Sequence, residues 1–141
     1  MLSRLIVLTL CLAAPFMAAA QTSSTTGDMT SEDIRNELYG VILEGTTGFE
    51  EFWTECIDSK GDTVYYFAGE ILRGKMSLTD EGVICFDYEE RQLGGDNCFT
   101  ARRSVGDQYL FFPADGFGNL FRTTRVIRGV DVCPEEAPAL S

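Results

Sequence analysis

Between residues 72 and 78 the chain alternates, with Leu72, Gly74, Met76 and Leu78 on one side and Arg73, Lys75 and Ser77 on the other. That is the period of a half-buried strand with one wet face. Ile84, Phe86 and Tyr88 alternate in the same way with Val83, Cys85 and Asp87. Less regular runs rich in β-formers cover 49–56, 63–67, 97–105, 108–112 and 120–127. Turn signals separate them: Ser59-Lys60-Gly61-Asp62, Thr79-Asp80-Glu81-Gly82, Gly94-Gly95-Asp96, Gly106-Asp107 and Asp115-Gly116-Phe117-Gly118-Asn119. Short strands on short turns predict a mainly β fold, an antiparallel meander forming a small barrel or a strongly bent sheet. One short N-terminal helix precedes them. Thr30 is a good N-cap with Asp33 three residues on, and Met29 and Ile34 occupy the positions of a hydrophobic staple. Ile34 and Leu38 share a face, and Gly40 supplies a left-handed stop. Such a helix is expected to plug one end of the sheet or to cover an edge.

The start of the chain has a different pattern. Arg4 precedes the apolar run 5–14, Pro15 follows, and Ala18-Ala19-Ala20 offers small residues for a signal peptidase. The run is shorter than the roughly 20 residues that span a bilayer. Gln21 stands where a lipoprotein would carry cysteine. Residues 1–20 are therefore expected to be a cleaved signal peptide, which predicts an exported protein, periplasmic or secreted, with no membrane anchor in the mature form. Residues 21–28 read as a polar leader, 29–134 as one β-rich domain, and 135–141 as a flexible tail. The remaining length, roughly 120 residues, suits a single domain.

Of five cysteines, Cys11 lies in the apolar run, leaving Cys56, Cys85, Cys98 and Cys133. An even number in a short exported chain predicts two disulfides. Four cysteines permit three pairings. If Cys85 faces Cys98 across a hairpin, Ile84 faces Phe99 and Val83 faces Thr100, so apolar meets apolar on the other face. That register selects Cys85–Cys98 and Cys56–Cys133. A zinc site would need close ligand pairs, often with histidine, and the chain has no histidine. No cofactor and no metal are expected.

The stretch 74–88, Gly-Lys-Met-Ser-Leu-Thr-Asp-Glu-Gly-Val-Ile-Cys-Phe-Asp-Tyr, followed by Asn97-Cys98-Phe99 and Gly106-Asp107-Gln108-Tyr109, resembles small exported β-domain proteins of alphaproteobacteria. They pair two Cys-aromatic strands behind a short helix. Met76 stands where those proteins often carry tryptophan. The resemblance implies a periplasmic β domain without an established activity and contributes no catalytic residues.

Charge and missing residue types exclude several functions. Asp and Glu number 22 against 11 Lys and Arg, a formal net charge of −11. Such a body repels nucleic-acid phosphates and anionic membranes, so no nucleic acid is expected as a partner. Without histidine, Ser-His-Asp and Cys-His catalysis cannot be assembled within one chain. No nucleophile elbow, phosphate loop or dinucleotide fingerprint is present. Glu50, Glu51 and Glu55 read as a solvated strand face rather than a catalytic pair. The protein is expected not to be an enzyme.

Two groups of residues are candidate surfaces. Arg102, Arg103, Arg122, Arg125 and Arg128 make 101–130 net basic and are a candidate anion patch. Period two, however, sends Arg122 and Arg125 to opposite faces, and pairing with the excess carboxylates is the plainer role. Aromatic residues exceed what a small barrel packs inside. Trp53, Tyr65, Phe67, Tyr109 and Phe111 are a candidate apolar ligand cup, with core packing as the default. The expectation is an exported non-enzymatic binding domain, a protein-binding or inhibitor module that meets a cationic secreted protein through its acidic surface. The alternatives are a lipocalin-like carrier of a small apolar ligand and an envelope structural component.

Overall fold

The computed structural model describes residues 27–89 and 97–136. The expected signal peptide, most of the expected leader, the turn expected at Gly94-Gly95-Asp96 and most of the expected tail lie outside the described residues. The first described element is helix α1 (Ser31–Glu37), and its start is built as its sequence dictates. The Thr30 hydroxyl accepts from the Asp33 amide, while the Asp33 carboxylate accepts from the Thr30 amide at 2.9 Å. This reciprocal cap satisfies two otherwise orphaned amides. Met29 and Ile34 are both buried in the core beneath it. The helix ends at Glu37, and Gly40 at φ +68° turns the chain into the first strand.

Eight strands follow: β1 (Val41–Thr47), β2 (Phe52–Ile57), β3 (Asp62–Phe67), β4 (Glu70–Leu78), β5 (Val83–Tyr88), β6 (Cys98–Arg103), β7 (Tyr109–Pro113) and β8 (Phe121–Arg128). Each pairs antiparallel with the next, and β8 returns to pair with β1, closing a barrel. The hairpin register is the expected one, with Cys85 opposite Cys98, Ile84 opposite Phe99 and Val83 opposite Thr100. Both disulfides pair as that register selects, Cys85–Cys98 and Cys56–Cys133. The two disulfides are consistent with export. Among the described residues no helix is long and apolar enough to cross a membrane.

One strand has no counterpart among the expected elements. β1 is buried from Val41 through Gly45 without alternation, so period two does not reveal it. Its inner residues Val41 and Leu43 join the central core. Its outer residue Ile42 packs with Cys56, Val64 and Tyr66 under Ile127, Val130 and Cys133. The C-terminal segment thus runs back over the outside of β1, β2 and β3. It is held by a Val130 amide to Gly40 carbonyl bond of 2.9 Å, a Tyr66 hydroxyl to Pro134 carbonyl bond of 2.5 Å, and the Cys56–Cys133 bridge.

The two ends of the barrel differ. At one end α1 lies across the opening, with Ile34 and Leu38 fully buried. The Ser31 hydroxyl donates to the Thr79 and Asp80 carbonyls, each at 2.8 Å, and the Met29 amide donates to the Ala101 carbonyl at 2.7 Å. Arg103 reaches up from β6 to pair with Asp33 at 2.6 Å and with Glu37. The Asp33 carboxyl is held down to about 2 by the Thr30 hydroxyl and by Arg103. Arg128 donates to the Glu37 carbonyl, to Asp107 and to the Tyr109 hydroxyl. The other end, where β1 and β2, β3 and β4, β5 and β6, and β7 and β8 turn, is not covered by the helix.

The Cys56–Cys133 bridge joins residues 77 apart in sequence. Replacing both cysteines by serine is expected to lower unfolding free energy by about 2–5 kcal/mol. The outer face of β2 should also exchange its amide hydrogens faster. Urea midpoints and hydrogen exchange test this, and an unchanged midpoint would mean the strap adds no stability.

Candidate functional site

An eight-stranded barrel is just wide enough to fill itself with side chains or to hold one small ligand. Here the inward positions nearest the open end are mostly aromatic. Residues two apart on a strand share a face. Tyr65 and Phe67 therefore stack on β3 with centroids 5.9 Å apart, and Phe86 and Tyr88 stack on β5 at 6.1 Å. Trp53 meets Phe121 edge to face at 5.6 Å and Phe111 at 6.4 Å. Phe99 meets Phe121 edge to face at 5.5 Å. Together with Leu43, Thr47, Asn97 and Asn119 these rings bound a cavity of about 220 Å³.

Trp53 occupies its place because Gly45 lies opposite in the register. A Cβ at Gly45 would stand 2.0 Å from the Arg122 carbonyl and 2.8 Å from Trp53 Cζ2. Trp53 is 4% exposed, and among the described residues its Nε1 has no hydrogen-bond partner.

Glu55 lies one inward position deeper than Trp53, between Leu43 and Tyr65 in the register, and lines the same cavity. The expectation that it belongs to a solvated strand face is overturned, since the residue is 4% exposed and faces inward. The reason is phase: Trp53, Glu55 and Ile57 share one face of β2, and that face is the barrel interior. Thr63 Oγ1 donates to Glu55 Oε1, and the Tyr88 hydroxyl donates to Glu55 Oε2 at 2.7 Å. Gly74 makes the second bond possible. It lies between Thr63 and Tyr88 in the register, so no side chain separates the phenol from β3. Burial pushes the Glu55 carboxyl up to about 8, against the two hydroxyl bonds that favour its ionised form. Burial, with Glu55 beside it, also raises the Tyr88 hydroxyl well above its usual range.

Of the candidate cup residues, Trp53, Tyr65, Phe67 and Phe111 line this cavity. Tyr109 faces inward but belongs to the helix-covered end, where its hydroxyl donates to Glu37 at 2.9 Å and accepts from Arg128. Sequence reasoning passed over Glu55, Phe86, Tyr88, Phe99 and Phe121 as cup residues. The usable signal was alternation, because Phe86 and Tyr88 fall in phase with buried Ile84.

The five arginines do not come together. Arg102 pairs with Asp28 at 2.6 Å and lies over the Phe112 ring at 4.6 Å. Arg103 and Arg128 secure the helix end, Arg125 pairs with Glu44 at 3.4 Å, and Arg122 is exposed on the outer wall. Arg122 and Arg125 do not point to opposite faces. A register shift sets Thr123 against Gly45 but Arg125 against Glu44, so the extra residue of a bulge returns both arginines to the outside.

Compared with known proteins, the chain matches no protein-family model and no curated protein.

The raised Glu55 carboxyl has a consequence for stability. In the unfolded chain it releases its proton near 4.5, and in the folded barrel near 8. Between these values the folded state holds a proton that the unfolded state has lost, so stability falls as pH rises. The slope approaches about 1.4 kcal/mol per pH unit. No histidine titrates in the same window. Glu55→Gln is expected to flatten the decline, making the variant the more stable protein at pH 8. Urea midpoints between pH 5 and 9 check this, and equal slopes for both proteins would refute it.

Proposed function

We propose that this protein is an exported, non-enzymatic carrier that holds a small, largely apolar ligand in the open end of its barrel. The single observation that carries the reading is the aromatic cup around a cavity of about 220 Å³. A core built for stability alone would close over such a volume, because interiors pack as densely as organic crystals. Ligand sites are concave and mostly apolar with a few placed polar groups, and this lining fits that description. The cavity is somewhat smaller than the roughly 300 Å³ at which drug-sized sites begin, so the ligand is about one ring system in size. Among the described lining residues there is one carboxyl and no second acid, lysine or cysteine, which supports holding rather than turnover. Export rests on the signal-like residues 1–20 and on the two disulfides.

The reading that a cationic secreted protein binds the acidic surface rests on net charge alone, whereas the cup is a shaped site. Trp53 is the only tryptophan in the sequence and lines the cavity, so its fluorescence reports on occupancy. A one-ring apolar probe is expected to shift Trp53 emission, with little dependence on salt and a negative heat-capacity change. Phe67→Ala should weaken binding roughly tenfold, the loss of about 1.4 kcal/mol of apolar contact. Native mass spectrometry of the purified protein should show a co-purifying small molecule. A salt-sensitive protein partner, with no response of Trp53 to any apolar probe, would instead favour the acidic-surface reading.

A further inference from the structure

Three features of the open end point the same way. The first is the walls. Trp53, Tyr65, Phe67, Phe86 and Phe99 bound the cavity, and aromatic faces carry the negative side of their quadrupole, which attracts cations. The second is Glu55, which lies one inward position deeper than Trp53 and level with Tyr65, and contributes the one ionisable carboxyl among the described lining residues. An ionised carboxylate offers roughly four acceptor positions. Thr63 and Tyr88 each occupy one here, so acceptor capacity remains. The third is the rim. The described turn residues at the open end include Glu50, Glu51, Glu89 and Asp115, all exposed or half-buried acids. Acidic side chains near an opening raise the local concentration of cations.

Resting on the carrier reading above, we propose that the ligand is an organic cation, a one-ring arylalkylamine whose ammonium pairs with Glu55 while its ring packs among the aromatic walls. The groups facing Glu55 are compatible with this. β1 presents Leu43, β3 presents Thr63 and Tyr65, β4 presents Gly74, and β5 presents Tyr88. Among the described residues facing it, Glu55 is held by the Thr63 and Tyr88 hydroxyls. Before binding, Glu55 is mostly protonated at neutral pH. The amine arrives as ammonium, Glu55 releases its proton to solvent, and an ion pair remains with no covalent bond made or broken. Binding therefore strengthens as pH rises toward 8 and releases up to one proton at neutral pH. A neutral ligand that accepted a bond from protonated Glu55 would show the reverse slope.

The test uses three probes of matched size: 2-phenylethylamine, 2-phenylethanol and phenylacetate. Titration calorimetry at pH 6 and pH 8, in two buffers of different ionisation enthalpy, gives affinity and proton count on the wild-type protein. The amine is expected to bind at least tenfold more tightly than the alcohol at pH 8, with a smaller gap at pH 6 and proton release at pH 7. Phenylacetate should bind most weakly. Glu55→Gln should bring the amine to the affinity of the alcohol and abolish proton release. Because proton count and pH slope are read on the wild type, the test does not depend on that variant folding. Equal binding of amine and alcohol, or tighter binding of the alcohol as pH falls, overturns the cation assignment while leaving the cup as a ligand site. Failure of all three probes, together with an unresponsive Trp53, overturns the carrier reading itself.

Discussion

A sheet of eight strands has two exposed edges unless its first and last strands pair, and here β1 pairs with β8 along its whole length. That closure removes the unpaired amides and carbonyls that would otherwise recruit other chains. It also separates an inside from an outside. Trp53, Glu55 and the aromatic rings share an enclosed space because the ring is complete. Closure depends on close backbone approach at Gly45, where a side chain would meet the Arg122 carbonyl, and on the bulge that follows in β8. Closure alone would leave both ends open and one wall apolar outside. The helix with Arg103 and Arg128 seals one end, and the strap from Val130 to Pro134 covers the wall.

The legible parts of the sequence are those where one face is wet and one is dry. β4 and β5 declare themselves through alternation, and Thr30 with Asp33 declares the start of α1. The hairpin register follows from asking which pairing puts apolar side chains together. β1 stays hidden because both of its faces are covered, one by the core and the other by a strap from much later in the chain, tied by the Val130 amide to the Gly40 carbonyl. Arg122 and Arg125 were misplaced because a bulge breaks period two, and nothing local in Thr123-Thr124-Arg125 signals it. Glu55 was misread for a different reason. Carboxylates are solvated by default, and only its phase with Trp53 and Ile57 marks it as internal.

The interior is divided by chemistry as well as by shape. At the helix end, charges are matched: Arg103 and Arg128 meet Asp33, Glu37 and Asp107. At the cup end a carboxyl is held by two hydroxyls, and among the described residues no cation pairs with it. The first arrangement ties elements together. The second keeps a titratable group in the wall of an apolar space, an arrangement typical of sites that bind or react.

The pairing of Val41 with Arg128 also sets an order of events. The strands from β1 to β7 can form hairpins with near neighbours, but the ring cannot close until the last strand is present. The Cys56–Cys133 bridge waits longer still, since its second sulfur follows β8 in the chain. Contacts of such long range make folding slow. If the protein is exported as proposed, a barrel that cannot close before β8 and Cys133 emerge would keep the chain threadable through a narrow pore and let it lock only on the far side.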